Sequence, residues 1–324
     1  MRVAAYERYG PPDVVQLIEV EKPTPRDGEV LIRVRATTVN SGDWRVRSLD
    51  VPDGFRLLSR LFLGYSKPRQ PVLGTELAGT IEAVGARVTK FKVGDDVFAF
   101  SGVHMGCHAE YKCMPEDGRV VPKPKNISYD EAAALSFGGT TALSFFRRAK
   151  LQRGETVLVN GASGAVGVAL VQLAKHFGAE VTAVCSGANA ELVQSLGATR
   201  VIDYTKEDFS KNGETYDVIA DTAGTAPFSR CQGSLKRGGR LLLVLAGLGE
   251  TLRAPWISLW GDKRVIAGPA AEDVDDLRLL AELTSADKFK PFIDRRYPFD
   301  QIVEAHRYVD TGRKRGSVVV TLGE

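Results

Sequence analysis

The sequence predicts an α/β protein in two parts, a β-rich domain and a doubly wound parallel-sheet domain, and three observations carry that prediction. The chain has 324 residues, more than one ordinary hydrophobic core organises. Its first 125 residues are dominated by short β-like runs punctuated by Gly and Pro. From about residue 128, helix-like and strand-like segments alternate. Those strands are continuously apolar, the pattern of a parallel sheet covered on both faces.

The individual segments support this division. VLIRVRATTV (30–39) alternates along its length, and LAGTIEAVG (77–85) and VGDDVFAF (93–100) follow as further strands of a mostly antiparallel unit. SYDEAAALSFGGTTALSFFRRA reads as one helix, with Ser128 as its N-cap and Glu131 completing a capping box. TVLVNG, AVGVALVQLAKHF, EVTAVC, AELVQSLG, RVIDY, YDVIADTAG, FSRCQGSLKRGG and RLLLVLAG then repeat strand and helix. RLLLVLAGL is apolar enough to be a sheet edge in need of cover. After about residue 265 the pattern is mixed, with DVDDLRLLAELTSA as helix and GSVVVTLGE as a last strand.

One turn carries chemistry. Gly161, Gly164 and Gly167 lie between a strand and a helix, inside a βαβ unit that ends near Cys185. Without Cβ atoms the backbone can approach a pyrophosphate, and the helix that follows offers unpaired N–H groups and a positive dipole end. The segment Gly161, Ala162, Ser163, Gly164, Ala165, Val166 and Gly167 is therefore assigned to cofactor binding. The other reading is a tight turn with no ligand. In an NAD site an acid usually ends the second strand. Here Val184-Cys185-Ser186-Gly187-Ala188-Asn189 has none before Glu191, and no Arg or Lys clamp either. Ser186, Asn189 and the Tyr204 hydroxyl are the available donors, so NADPH is expected over NADH, on absent repulsion.

Composition excludes several classes. A net charge of +3 is too mild for nucleic acid or an anionic membrane as the main partner. No apolar run approaches the roughly 20 residues that span a bilayer, and the N-terminus MRVAAYERYGPPDV has no signal-peptide pattern. Four cysteines make no disulfide framework, which points to a reducing cytoplasm.

The N-terminal β unit, the AVG-type glycine loop, AELVQSLGA-x-x-VIDY and the closing GRKRGSVVVTL together resemble the medium-chain dehydrogenase/reductase superfamily, over essentially the whole chain. The similarity points to the zinc-independent quinone oxidoreductase branch, which includes bacterial proteins of the NAD(P)-dependent alcohol dehydrogenase type. The resemblance implies a GroES-like catalytic domain built from both chain ends (1–125 and 266–324) and an inserted Rossmann domain (126–265), with the active site in the cleft between them. It also implies that the RLLLVLAGL strand pairs across a homodimer. Zinc members of the superfamily carry Cys in the segment matching TVNSGDW and Gly-His-Glu in that matching LGTELAG. Here those segments hold Asn40-Ser41-Gly42-Asp43 and Gly74-Thr75-Glu76. LSFGGTTAL lacks Cys too, and the four-Cys structural lobe is missing, so no metal is expected. HMGCHAEYKC (104–113) supplies His104, Cys107, His108 and Cys113, but at no common zinc spacing, and AEYKC reads as structural strand. His176 and His306 read as ordinary helix residues.

With a nicotinamide and no metal, the cofactor carries the hydride and the protein positions the acceptor. Quinones and α,β-unsaturated carbonyls fit, because conjugation spreads the arriving charge onto an oxygen that hydrogen-bond donors can stabilise. Asn40, matching the Asn of the relatives' V-N-x-x-D segment, is the first candidate donor, against the reading of a turn residue bonding its own backbone. Asp43 is expected to hold that loop and Trp44 to be core. By the same resemblance Thr141 stands beside the cofactor, and Ala246 and Gly247 lie where backbone passes the nicotinamide. LDVPDGFRLLSRLFLGYSKPRQ (49–70) is longer than in compact relatives and has helical apolar spacing. It reads as a packing helix, a dimer contact or a roof over the substrate, with Tyr65 as candidate proton donor. GRKRG (312–316) reads as a solvated turn. The sequence thus points to an NADPH-preferring, zinc-independent reductase of quinones or enones. An aldehyde or ketone reductase, and a weakly catalytic NADPH-binding sensor or scaffold, are the competing readings.

Overall fold

In the computed structural model residues 1–323 are described. These residues form two compact units. The first comprises Met1–Val51, Arg56–Phe137 and the chain from Glu272 onward, and the second Pro52–Phe55 and Gly138–Ala271.

The first unit begins with β1 (Arg2–Tyr6) and β2 (Val15–Glu19), an antiparallel pair. β3 (Glu29–Val39), α1 (Ser41–Ser48), α2 (Arg56–Leu63), β4 (Glu76–Val84), β5 (Asp96–Phe100), β6 (Tyr111–Pro115), β7 (Val120–Pro122) and α3 (Tyr129–Ala133) follow. Alternation in β3 sends Val30, Ile32 and Val34 into one core, with Leu77, Ile81 and Val97 from β4 and β5. Thr37 and Thr38 end the strand fully buried; the Thr37 hydroxyl donates to the Glu76 carbonyl at 2.6 Å, and the Thr38 hydroxyl donates to the Glu76 carboxylate. Arg47 on α1 is also fully buried. It donates to both carboxylate oxygens of Asp310 at 2.6 Å and to the Gly10 carbonyl at 2.5 Å, which fixes α1 in place.

The helix expected as one piece from Ser128 is two. The capping box between Ser128 and Glu131 forms as expected. The helix then stops at Ala134, and a new one, α4 (Ser136–Ala149), starts where the Phe137 N–H donates to the Glu76 carboxylate at 2.6 Å. That acceptor comes from a strand sixty-one residues earlier, which local pattern does not reveal.

The second unit continues with β8 (Thr156–Asn160), α5 (Ala165–His176), β9 (Glu180–Cys185), α6 (Ala190–Leu196), β10 (Arg200–Asp203), β11 (Tyr216–Asp221), α7 (Phe228–Cys231), β12 (Leu235–Leu243), α8 (Leu248–Trp260) and β13 (Arg264–Ile266). Its six strands are all parallel, in the order β10-β9-β8-β11-β12-β13. This is the doubly wound order whose direction reverses between the first and fourth strands, here β8 and β11. RLLLVLAGL is therefore not the edge. Three residues of β13 pair with β12 and cover it, a strand too short to stand out in the sequence, and the edge of the sheet moves to β13.

The chain closes with α9 (Val274–Ser285), β14 (Ile293–Pro298), α10 (Ile302–Asp310) and β15 (Ser317–Thr321) in the first unit. There β15 pairs with the second half of β3 and β6 with the first half. The full order is β14-β15-β3-β4-β5-β7.

Candidate functional site

The glycine turn has the geometry a pyrophosphate needs. Gly161 leaves β8 at φ +80°, in the left-handed region. Its N–H and that of Ala162 both donate to the Val184 carbonyl at 3.1 Å, which ties the turn to β9. A Cβ on Gly167 would lie 2.2 Å from the Gly161 carbonyl oxygen, so this glycine lets α5 pack directly on the turn. A Cβ on Gly164 would meet only that same oxygen, at 3.7 Å, and otherwise open space. Gly164 is the N-cap of α5 and supplies no side-chain acceptor, so the first-turn N–H groups of the helix await an outside acceptor. Ala162 is fully buried and Ala165 and Val166 nearly so, which limits these three to backbone contacts. The turn therefore fits a dinucleotide.

Three of the expected polar contacts converge at the end of β9. The Asn189 amide donates to the hydroxyls of Ser163 and Ser186, each at 3.2 Å. Tyr204 follows β10, its N–H donating to the Cys185 carbonyl at 3.2 Å and its side chain 62% exposed. Between them stands an acid the sequence reading passed over. Asp203 ends β10 in register with Cys185, and a Cβ on Gly187 would lie 2.6 Å from its carboxylate. The Thr205 hydroxyl and N–H donate to that carboxylate and hold its pKa below the usual range. The Lys206 ammonium stands 3.8 Å away. This acid stands at the end of the third strand, directly before Tyr204 in VIDY, rather than at the end of the second strand where an NAD site usually carries one.

The switch between β8 and β11 holds a second unforeseen group. Asn160 and Asp221 end these strands opposite one another, and the Asn160 amide donates to Asp221 at 2.9 Å. Asp221 also accepts from the N–H groups of Ala223, Gly224 and Ala226, at 3.0, 3.1 and 2.8 Å. The carboxylate thus shapes the loop at the carboxyl end of the sheet, where such sheets bind ligands. Only the Asp that ends YDVIAD signals it in the sequence. Ala246 and Gly247 follow β12 at the same end. Gly247 begins α8, where its N–H donates to Glu250 at 3.2 Å, and the next N–H donates to the Asp53 carbonyl at 2.8 Å. Thr141 lies half-buried on α4.

In the first unit Asn40 is the N-cap of α1 and is buried. Its side-chain oxygen accepts from the N–H groups of Gly42 (2.9 Å) and Asp43 (3.3 Å), and its amide donates to the Thr75 hydroxyl at 2.7 Å. Asp43 completes the capping box and accepts from the Gly74 N–H at 2.9 Å. Burial pushes its carboxyl pKa up. Asn40 is thus first a cap, as its turn-residue reading held, with one amide hydrogen outside these bonds. Tyr65 does not join it. The phenol is 73% exposed, with the Arg60 guanidinium 5.5 Å from its ring, so it is not the enclosed proton donor expected. Within residues 49–70, Leu49, Gly64 and Pro68 are buried, but α2 buries none of its residues, so the helix itself is not the core-packing element expected.

In the segment where zinc relatives carry Gly-His-Glu, this chain keeps only the acid as a candidate ligand. Glu76 is committed to Thr38 and Phe137. The His108 Nε2 lies 2.9 Å from the Thr38 carbonyl, a contact that requires the proton on that nitrogen. His306 is more than an ordinary helix residue: it is wholly buried, edge-on to His108 at 5.5 Å, and desolvation holds its pKa well below the usual value. Cys107 is buried and His104 exposed. Among the described residues no three His, Cys, Asp or Glu side chains converge on a metal position. In the GRKRG turn, Arg315 is paired with Asp294.

Comparison with known proteins gives two family matches, the alcohol dehydrogenase GroES-like domain at residues 26–125 and the zinc-binding dehydrogenase model at residues 196–320. The chain is 34% identical to a 2-methylene-furan-3-one reductase of Solanum lycopersicum, over 99% of this chain and 79% of that protein. It is 31% identical to a chloroplastic NADPH-dependent alkenal/one oxidoreductase of Arabidopsis thaliana, over the same shares of the two chains. The solved quinone oxidoreductase of Coxiella burnetii superposes with a TM-score of 0.88 at 28% identity, covering 100% of this chain and 99% of that one. Several plant relatives are named chloroplastic, which overturns the expected cytoplasmic location. Scarce cysteine reports a reducing setting and does not single out one compartment. With its GroES-like part, its doubly wound sheet and its glycine turn, the chain belongs to the medium-chain dehydrogenase/reductase superfamily, on the quinone oxidoreductase-like branch, and is an oxidoreductase that uses a nicotinamide cofactor.

Proposed function

We propose that the protein transfers a hydride from NADPH to a quinone or an α,β-unsaturated carbonyl, without a metal. The observation that carries this reading is the open N-terminus of α5 above Gly164, in a chain whose Glu76, the one acid kept at a zinc-type position, is spent on internal hydrogen bonds. When bound, the reduced nicotinamide supplies the hydride. The α5 N–H groups would hold the pyrophosphate, and Ser163, Ser186, Asn189 and Lys206 would donate to the ribose 2′-phosphate. Asp203 keeps its negative charge there, since the bonds from Thr205 and Gly187 lower its pKa, and the Lys206 ammonium 3.8 Å away offsets part of that charge. The names of the tomato and Arabidopsis relatives, an enone-type reductase and an NADPH-dependent alkenal/one oxidoreductase, support the same acceptor class and cofactor.

Chelator-treated protein is expected to oxidise NADPH faster than NADH when given an o-quinone or an enone, and to leave an unconjugated ketone unreduced. Loss of reduced-cofactor absorbance measures this. Activity abolished by the chelator would overturn the metal-free reading, and NADPH binding without turnover would favour the sensor. Asn40→Ser tests the donor. Serine keeps the cap but loses the buried bond to Thr75, so stability should fall by about 1–3 kcal/mol while the protein still folds. If the amide stabilises the substrate oxyanion, kcat falls roughly tenfold or more with KM for NADPH unchanged.

A further inference from the structure

α2 stands apart from the rest of the first unit. None of its residues is buried, and Leu57, Leu61 and Phe62 are 74%, 63% and 72% exposed. Spaced one turn apart with Leu58 beside them, these side chains form a single apolar face. The helix is nevertheless held at its end. The Tyr9 hydroxyl donates to the Gly64 carbonyl at 2.8 Å, and the Arg69 N–H donates to the Leu63 carbonyl at 2.7 Å. Gly64 turns the chain at φ +120°, where a Cβ would lie 2.1 Å from the Lys67 carbonyl oxygen.

Charge selects the occupant of this face. From Gly54 to Thr75 the chain carries Arg56, Arg60, Lys67 and Arg69 and no acid. A second copy of the chain is disfavoured there, because a two-fold contact centred on α2 sets these cations against their own images. α8 shows the contrast. It exposes Leu252, Trp256, Leu259 and Trp260, but Glu250 and Asp262 stand among Arg253, Lys263 and Arg264, so charge singles out no occupant for it.

We propose that α2 is a docking helix for an anionic lipid surface, lying in the headgroup region with its leucines and Phe62 inserted and its cations among the lipid phosphates. An apolar face flanked by arginines whose stems reach up to the headgroups is the arrangement such helices use. Eight residues span only about 12 Å, and no helix among the described residues is long and apolar enough to cross a membrane. The attachment is therefore peripheral, reversible and sensitive to salt.

The test is cosedimentation of the full chain with vesicles of phosphatidylcholine alone and of equal parts phosphatidylcholine and phosphatidylglycerol, at low and high salt. Binding is expected to the anionic vesicles only, and to be lost at high salt. Arg56→Gln with Lys67→Gln should weaken it about twenty-fivefold, taking roughly fivefold per cation. Leu61→Ser with Phe62→Ser should abolish it. Both variants alter exposed side chains, and an unchanged far-UV circular dichroism spectrum and urea midpoint show that they fold. No binding to anionic vesicles overturns the proposal, as does binding that both variants leave unchanged. A dimer seen by analytical ultracentrifugation that Leu61→Ser with Phe62→Ser breaks, in protein that ignores vesicles, assigns the face to a second copy instead. None of these outcomes depends on the substrate assignment.

Discussion

Gly164→Ser is expected to leave the fold intact while cofactor binding falls roughly thirty- to a hundredfold, and Gly167→Ala to do the reverse in kind, destabilising the protein itself. The two glycines sit three residues apart in one motif and meet different surroundings. Gly164 has φ −77° and ψ 172°, an N-cap conformation any residue adopts, and its Cβ direction is open. Serine there can cap α5 with its own hydroxyl, so stability should change by no more than about 1 kcal/mol. The same hydroxyl occupies the N–H groups the pyrophosphate would take, and its Cβ stands in the path of approach. Losing charge-assisted hydrogen bonds of that kind costs about 2–3 kcal/mol of binding, which gives the stated fall in affinity. A Cβ on Gly167 would instead lie 2.2 Å from the Gly161 oxygen and 2.7 Å from the Ala162 carbonyl carbon, both backbone atoms. α5 must then lift off β8, at about 1–3 kcal/mol. Titration of NADPH by fluorescence and urea unfolding of both variants decide the matter. Wild-type affinity in Gly164→Ser would mean that the pyrophosphate does not rest on this turn.

The same division explains what the sequence made legible. Glycine spacing between an apolar strand and a helix is local, and so are the Ser128 capping box and the βαβ alternation, so each could be seen in one window of residues. Tertiary partners decided the rest. The break at Ala134 follows from Glu76 reaching the Phe137 N–H, and the cover on β12 from a strand of three residues. Asp203 adjoins the Ser186 turn only because β10 pairs with β9 in register. Asn40 was found, and its capping bonds to Gly42 and Asp43 are local, but the bond that occupies its amide goes to Thr75, thirty-five residues on. α2 was correctly read as amphipathic, yet amphipathicity alone does not say whether a face is covered.

Glu76→Gln is expected to stabilise the protein relative to wild type by an amount that grows with pH, reaching about 3 kcal/mol by pH 8. Glu76 is 1% exposed, and burial pushes its carboxyl from the ordinary 4.5 up to about 7. The Thr38 hydroxyl, the Phe137 N–H and the charge of Lys314 favour the carboxylate, and Asp43 opposes it, but desolvation dominates. Between those two values the folded chain holds a proton that the unfolded chain has released, so raising the pH drains stability across that window. Glutamine carries no charge to lose. Its oxygen can accept from the Phe137 N–H while its amide donates to the Thr38 hydroxyl oxygen, so both contacts survive. Two other groups titrate nearby with the opposite sense. His306 is held neutral, which destabilises the fold at acid pH, and desolvation lowers Lys314 to about 8, so stability contributed by its deprotonation appears only above that value. Asp43, which burial also pushes up, adds to the Glu76 trend, so the wild-type curve mixes four effects, whereas the difference between variant and wild type retains mainly the Glu76 contribution. Urea unfolding of both proteins from pH 5 to pH 8 measures that difference. A flat difference would show that Glu76 ionises normally in the folded chain, and that the start of α4 is capped by a carboxylate that water still reaches.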